Sequence, residues 1–196
     1  MRILVSIVLS ALLCSYVTES RSQHLQYDII WLGKIGKLSI VKTQNNRYTY
    51  IETNSEVKLP FYKLNWITTA KEEDGQLRES NYAQLLNNKT REFTDIAYIN
   101  DSSWQKENDV GEKELIQIKS ELNVSDLYFE EPLNQSYIFS ERFGRPIEIV
   151  DKGNSQYRLL LPDGNHCDFF YENGVCTNVK AKNGSRTIKF VLKEKG

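Results

Sequence analysis

Residues 156–192 read QYRLLLPDGNHCDFFYENGVCTNVKAKNGSRTIKFVL, and this stretch decides the fold of the chain. Its short apolar runs are separated by three turn signals, Pro162-Asp163-Gly164, Asn173-Gly174 and Asn183-Gly184. Asn-Gly dipeptides between apolar runs are the strongest short-range indication of a β-hairpin. The stretch therefore predicts an antiparallel meander.

The hairpin around Asn173-Gly174 can form in two registers. A two-residue loop places Glu172 opposite Val175, whereas a three-residue loop places Tyr171 opposite Val175. A slip of one residue moves a whole set of side chains to the other face of a strand. The three-residue register keeps the larger apolar side chains together, so we favour it.

Cys167 and Cys176 lie in this hairpin, and export would expose them to an oxidising compartment where cysteine pairs usually form disulfides. In the three-residue register the two side chains point to opposite faces. In the two-residue register Cys167 lies four residues beyond the partner of Cys176, a distance of ~13 Å along the strand. A disulfide needs Cα atoms within ~7 Å, so we predict two free thiols.

The rest of the chain repeats the pattern of short apolar runs and turn signals, which predicts about a dozen strands and no long amphipathic helix. So many sequential strands favour strong curvature, because closure limits exposed edges. We predict an all-β fold, a single strongly curved antiparallel sheet or open barrel. Ser125 as a cap and Pro132 as a stop predict one short helix over 124–131. The polar segment 100–112 predicts a loop.

The first 22 residues have the layout of a signal peptide. Arg2 precedes a mostly apolar run, 3–17, which is short for a membrane span. We therefore predict that residues 1–22 are removed and that the protein is exported, to the periplasm or the medium. Lipid anchoring through Cys14 is the weaker alternative, because Leu13 stands where a small residue is expected.

The remaining residues, 23–196, predict a single domain without repeats or linkers. Lys and Arg number 25 and Asp and Glu 26, which gives a net charge of −1. Without a basic run, nucleic acid is not an expected partner. No further stretch is apolar enough for a membrane span after removal of the signal peptide.

Several motifs share a pattern of turn and core residues: Leu127-Tyr128-Phe129-Glu130-Glu131-Pro132, Ser140-Glu141-Arg142-Phe143-Gly144, Leu161-Pro162-Asp163-Gly164-Asn165 and Tyr171-Glu172-Asn173-Gly174. Together with the opening Tyr27-Asp28 and Trp31, they resemble an uncharacterised bacterial family of exported all-β proteins, a domain of unknown function. The resemblance covers nearly all of 23–196. It implies a fold similar to lipoprotein-localisation carriers, which hold acyl chains against a concave sheet, but the step from fold to ligand is analogy. It implies no catalytic residue.

Residues of catalytic or metal-binding type are few. His24 and His166 lie beside the mature terminus and a turn, as surface histidines do. Two cysteines with one nearby histidine and an aspartate are a poor ligand set for zinc. The acidic clusters 72–74 and 130–131 adjoin a turn and a predicted helix end, where solvated acids are expected. We therefore predict no enzyme activity, no metal and no cofactor.

Aromatic side chains are the remaining indication of function, with 11 Tyr, 8 Phe and 3 Trp. Five of them in predicted strands are our candidate ligand-binding residues: Trp31, Tyr62, Trp66, Phe139 and Tyr157. They can serve ordinary sheet packing, or they can line a cavity for an apolar ligand.

Three functions remain open at this stage. The first is a binding module of the cell envelope that takes a lipid, a lipoprotein or another apolar ligand. The second is a structural or protein-interaction component of the envelope with a filled core. The third, least favoured, is an enzyme, which needs convergent polar residues in a pocket.

Overall fold

The structure is a computed structural model that describes residues 20–100, 103–118, 120 and 122–196. Most of the predicted signal peptide, including Cys14, lies outside the described residues. In the part of the chain that is described, no helix is long and apolar enough to cross a membrane.

Within the described residues, fourteen antiparallel strands form one sheet, which confirms the predicted all-β class. The sheet order is β8-β7-β6-β5-β4-β3-β2-β1-β14-β13-β12-β11-β10-β9, so two meanders are joined where β1 pairs with β14. The strands are β1 (Arg21–Ile30), β2 (Lys34–Gln44), β3 (Tyr48–Leu59), β4 (Tyr62–Glu73), β5 (Gln76–Leu86), β6 (Lys89–Asn100), β7 (Ser103–Asn108), β8 (Lys113–Ile116), β9 (Tyr137–Ser140), β10 (Arg145–Gly153), β11 (Gln156–Leu160), β12 (His166–Glu172), β13 (Val175–Asn183) and β14 (Arg186–Lys195).

Alternation of apolar and polar residues determines which face of each strand is buried. In β1, Leu25, Tyr27 and Ile29 are almost fully buried, and the residues between them are more exposed. Neighbouring strands run in opposite directions, so the turns β1–β2, β3–β4, β5–β6, β7–β8, β9–β10, β11–β12 and β13–β14 share one end of the sheet. We call this the upper end and the opposite one the lower end.

The sheet curls until its two halves touch through side chains. The Arg142 guanidinium donates two hydrogen bonds to the carboxylate of Glu92, at 3.0 and 3.1 Å. Thr94 Oγ1 donates to the Arg142 carbonyl oxygen at 2.7 Å. Lower down, Phe139 of β9 packs with one residue from each of β4 to β7: Ala70, Leu77, Ile96 and Trp104. No ladder of hydrogen bonds joins β8 to β9 in the described residues, so the sheet is not closed into a barrel.

The predicted helix is only a single 3-10 turn, Asp126–Tyr128. Residues before it pair with β9, since Val124 N donates to Phe139 O at 3.0 Å, and this extended conformation leaves no room for an earlier helical turn. Ser125 makes no side-chain capping bond. Leu127 is fully buried, so the turn fills the lower part of the sheet's interior.

The predicted loop over 100–112 is wrong for most of its length. β6 continues to Asn100 and β7 spans Ser103–Asn108, while residues 101 and 102 lie outside the described part. Trp104 explains the difference, because its indole is almost fully buried and Nε1 donates to the Leu77 carbonyl at 2.7 Å. One inward tryptophan orders a segment whose other side chains are polar.

The favoured three-residue register at Asn173-Gly174 is also wrong. Glu172 pairs with Val175 across a two-residue loop, in which Asn173 and Gly174 both have positive φ, 52° and 77°. Such a turn matches the right-handed twist of the flanking strands. The pairing then shifts by one residue, so that Phe169 pairs with Val179.

The shift in pairing between β12 and β13 is a β-bulge, and it keeps the large side chains of both strands inside. Alternation of apolar and polar residues alone could not reveal it. Cys176 pairs with Tyr171 and is fully buried, and Cys167 pairs with Ala181. Both cysteines are free thiols in the structure. They face the interior four residues apart along β12, ~13 Å by strand geometry, too far for a disulfide.

Candidate functional site

A cavity of about 240 Å³ lies inside the curved sheet, above the 3-10 turn. It reaches the upper end, because its lining includes Arg142 and Phe143 of the β9–β10 turn and Leu161 of the β11–β12 turn. Tyr128 and Ser125 line its lower side. The 3-10 turn therefore fills one half of the interior and leaves the other half hollow.

The wall formed by the N-terminal meander consists of two rows of paired residues. Thr53 pairs with Thr68, and Thr68 with Tyr82, across β3, β4 and β5. One row higher, Ser55 pairs with Trp66. This wall therefore combines two aromatic rings with four hydroxyl groups, one of them on the Tyr82 ring.

The opposite wall, from the C-terminal meander, is apolar. One row joins Phe169 to Val179 and Val179 to Phe190, across β12, β13 and β14. The row above it joins Leu159, Cys167 and Ala181. Burial raises the pKa of the Cys167 thiol to about 12, so this side chain is an uncharged part of the wall.

The hydroxyl groups of Ser55 and Thr53 differ in their hydrogen bonding. Ser55 Oγ accepts a hydrogen bond from Trp66 N at 2.9 Å. Thr53 Oγ1 is buried and has no hydrogen-bond partner among the described residues. A buried hydroxyl without a partner destabilises a fold, which makes Thr53 the most unusual polar group of the wall.

Glu141 supplies the one carboxyl group of the lining. Its side chain accepts hydrogen bonds from Val124 N at 3.2 Å and Ser125 N at 3.0 Å. Burial raises its pKa, since the charged carboxylate loses its hydration. The cavity thus presents a group that can exchange hydrogen bonds and that disfavours a second negative charge.

A cluster of acidic residues and their partners lies between the 3-10 turn and the strands around it, outside the cavity lining. Lys42 Nζ contacts Asp126 Oδ1 at 3.0 Å, and Asn123 Nδ2 donates to Glu72 Oε1 at 3.1 Å. Burial, and then the charge of Asp126, raise the pKa of Glu72 to about 7. Within the described residues, no group of three or more His, Cys, Asp or Glu side chains could hold a metal ion. The cluster fastens the turn to the sheet.

The upper side of the cavity is bounded by the Arg142 side chain. Its guanidinium lies 4.8 Å from the ring centroid of Phe143 and 5.9 Å from that of Tyr82. Because Glu92 already accepts two of its hydrogen bonds, Arg142 acts as a clasp between the halves of the sheet. A ligand that enters here passes the clasp.

The five aromatic residues selected from the sequence lie in three different places. Trp66 lines the cavity. Phe139 and Tyr157 are buried in packed core clusters, where the Tyr157 hydroxyl donates to Glu131 at 3.0 Å. Trp31 and Tyr62 lie at the upper end, beside the β1–β2 and β3–β4 turns.

Several lining residues were not selected from the sequence. Thr53 and Thr68 read as ordinary strand residues, and Phe169 as ordinary core. Glu141 stands inside the Ser140–Gly144 motif, which could have marked it as unusual, because a turn glutamate is normally exposed. The pairing registers were needed to bring these residues to one cavity.

One histidine does contact a serine, but outside the cavity. His24 Nε2 lies 2.9 Å from Ser39 Oγ, on the convex face between the buried residues of β1 and β2. The described contacts include no carboxylate on His24, which a catalytic triad requires. This contact does not form a hydrolytic site.

Comparison with known proteins gives a family and nothing more specific. A family described as a domain of unknown function (DUF6134) matches residues 27–193. No curated protein and no solved structure matches the chain.

Proposed function

Because the chain belongs to the DUF6134 family, a domain of unknown function, we propose a function from the cavity itself. The protein binds a small apolar ligand that carries one uncharged hydrogen-bonding end. It acts as a binding or carrier protein rather than an enzyme, and it is exported, as the signal-peptide layout of residues 1–22 indicates.

The observation that carries this proposal is the hollow upper half of an otherwise filled interior. Natural proteins leave few voids larger than a water molecule, because close packing stabilises them. The cavity of about 240 Å³ lies just below the ~300–1,000 Å³ typical of ligand sites. At ~30 Å³ per small group it accepts roughly eight methylene-sized units, such as one short alkyl chain.

The expected affinity follows from the apolar area that such a chain buries. Eight methylene groups contribute up to ~6 kcal/mol at ~0.8 kcal/mol each. This free energy limits the dissociation constant to ~10–100 µM at the tightest, because association also costs translational and rotational freedom. A ligand that also satisfies a hydrogen bond in the wall binds more tightly.

The polar groups of the wall favour an uncharged end on the ligand. Thr68 and Tyr82 contribute hydroxyl groups to the wall, and burial makes the Glu141 carboxyl hard to ionise. A carboxylate placed beside Glu141 meets a second acid in a medium of low polarity, which is unfavourable. An alcohol or amide end avoids this repulsion.

The test is a series of ligands with one tail and different ends. Binding of 1-octanol, octanamide and octanoate is measured by displacement of a lipophilic fluorophore. In a separate experiment, native mass spectrometry of protein purified from its own host detects any small molecule that the protein retains. We expect octanol and octanamide to bind and octanoate to bind at least about tenfold more weakly. Saturable binding of none of the three contradicts the proposal.

Two tryptophan variants form a matched pair for this assay. Trp66→Ala removes an aromatic ring of the cavity wall and should weaken octanol binding, whereas Trp31→Ala changes a ring at the upper end outside the lining. Equal loss in both variants, after correction for stability, indicates that the fluorophore binds elsewhere.

The second candidate is a structural or protein-interaction component of the envelope. The filled lower half of the interior favours it, since Leu127 and its neighbours leave no space there. Under this alternative the upper cavity is a packing defect, and neither alkyl ligands nor a retained small molecule are found.

A further inference from the structure

Two large apolar side chains at the upper end are almost completely exposed. Leu32 lies at the tip of the β1–β2 turn and is 95% exposed, and Phe61 at the tip of the β3–β4 turn is 93% exposed. Trp31 and the partly exposed Tyr62 adjoin them. We call Trp31, Leu32, Phe61 and Tyr62 the tip patch.

The two tips are neighbours at the same height. β2 pairs with β3, and Gly36 lies opposite Val57, so both turns begin just beyond the same row of the sheet. Their centres are two strand spacings apart, ~10 Å. The patch is therefore continuous enough to engage one apolar surface.

Neither turn chemistry nor packing explains Leu32. Its φ is 53°, a left-handed conformation that is costly for a bulky side chain. Most other non-glycine residues with a left-handed backbone are Asp or Asn, such as Asp74, Asn87 and Asn173, and one is a serine, Ser155. A strained and fully exposed leucine contributes nothing to folding, which leaves a contact outside the molecule as its purpose.

Cations surround the patch. Five basic residues flank the turns next to it: Lys34, Lys58, Lys63, Lys89 and Arg186. Among the described residues, Asp28 and Glu56 form ion pairs with three of these lysines. The basic character ends at the β7–β8 turn, which carries Asp109 and Glu112.

Trp31 shows how the apolar and basic parts fit together. The Arg186 guanidinium lies 5.4 Å from its ring centroid, so a cation covers one face of the indole. Tryptophan, tyrosine and basic residues around inserted apolar side chains are the composition that settles at the boundary of a lipid bilayer.

We propose that the tip patch docks the upper end of the protein on a membrane that contains anionic lipids. Leu32 and Phe61 enter the acyl region, Trp31 and Tyr62 lie at the headgroup level, and the basic residues meet the lipid phosphates. The cavity then opens toward the bilayer, from which an apolar ligand can enter without crossing water. The docking itself does not depend on the ligand.

The test uses vesicles of phosphatidylcholine with and without phosphatidylglycerol. Proteins are purified by one route, and their N termini are checked by mass spectrometry so that the signal segment is equally present or absent. We expect the wild type to float with the anionic vesicles and to lose this binding at high salt, because salt screens the charges. Brominated lipids should quench Trp31, which lies beside the inserted residues.

The decisive variant is Leu32→Asn combined with Phe61→Ser. Asparagine suits the left-handed turn, so the variant should fold at least as well as the wild type. Its vesicle binding should fall at least about tenfold, since two apolar side chains no longer leave water. Leu133→Asn, at an exposed site of the lower end, is the matched control and should bind as the wild type does.

Three results overturn the proposal: no vesicle binding by the wild type, unchanged binding in the double variant, or equal loss in the Leu133→Asn control. Gel filtration adds a fourth. If the wild type self-associates without binding vesicles and the double variant is monomeric, the patch is an interface between two copies of the chain. Octanol binding by the cavity can succeed or fail independently of all four.

Discussion

Replacement of Thr53 by valine tests whether the buried hydroxyl lacks a hydrogen-bond partner in the folded protein. Thr53 Oγ1 is buried without a partner among the described residues, whereas Thr94 Oγ1 donates to the Arg142 carbonyl at 2.7 Å. Both threonines lie in strands of the same sheet, and valine has nearly their shape. Thr94→Val is therefore a matched control with the opposite hydrogen-bonding state.

The two substitutions should change the free energy of unfolding in opposite directions. A buried polar group without a partner costs ~1–3 kcal/mol, so Thr53→Val should stabilise the protein by about 1 kcal/mol, given that the residue is only half-buried. Thr94→Val deletes a hydrogen bond and leaves the Arg142 carbonyl without its donor, which should destabilise by ~1–2 kcal/mol.

Urea unfolding followed by tryptophan fluorescence measures both effects. The midpoints should move apart while the dependence on urea stays the same, because the surface exposed on unfolding is unchanged. In thermal unfolding, 1 kcal/mol corresponds to ~2–4 °C for a domain of this size.

A Thr53→Val protein less stable than the wild type would refute the reasoning, because the hydroxyl would then have a favourable partner in the native state. Equal effects at Thr53 and Thr94 would contradict the hydrogen-bond assignment of both.

Further substitutions and titrations test other parts of the structure. The pKa of Glu72, about 7 in the fold and ~4.3 in an unfolded chain, means that its stabilising contribution is complete below about pH 4.3 and is lost as pH rises through 7. In urea unfolding, the wild type should therefore lose stability relative to Glu72→Gln between pH 5 and 8, so that the midpoint of the variant rises relative to that of the wild type. A difference between the two midpoints that does not change with pH contradicts this. Denaturing thiol titration without reductant should find both Cys167 and Cys176 free. In the native protein both thiols should react slowly, because burial raises the pKa of each to about 12. A monomer without reactive thiols contradicts the hairpin geometry. Gly36→Ala should destabilise by ~1–3 kcal/mol, since its methyl group would lie 2.1 Å from the Glu56 carbonyl oxygen in the next strand; an unchanged midpoint would mean that the strands can separate there.

The aromatic candidates show how far the sequence leads toward the site. The sequence placed Trp66, Phe139 and Tyr157 in strands, but a strand pattern carries no information on the height of a side chain along the sheet axis. Trp66 meets empty space, whereas Phe139 and Tyr157 meet other core residues. Whether a side chain packs or lines a cavity depends on the opposite wall, which comes from the other meander.

The sequence by itself determined the class of the fold and most of its turns. Asn-Gly and Asp-Gly pairs fix the positive φ angles that hairpins need, and alternation fixes which face is buried, because both are local properties of the chain. These features led to a single antiparallel sheet or open barrel of about a dozen strands, and the described part of the chain contains fourteen strands.

Only the tertiary structure decided where this local pattern is interrupted and where the interior is hollow. The bulge after Tyr171 and the strand around Trp104 are stabilised by partners far along the chain: the Tyr171 hydroxyl donates to Leu127 O and the Trp104 indole to Leu77 O. The cavity arises because the 3-10 turn fills one end of the curled sheet and stops short of the other. Such long-range contacts depend on the curvature and the pairing registers of the whole sheet, and a short window of sequence does not determine them.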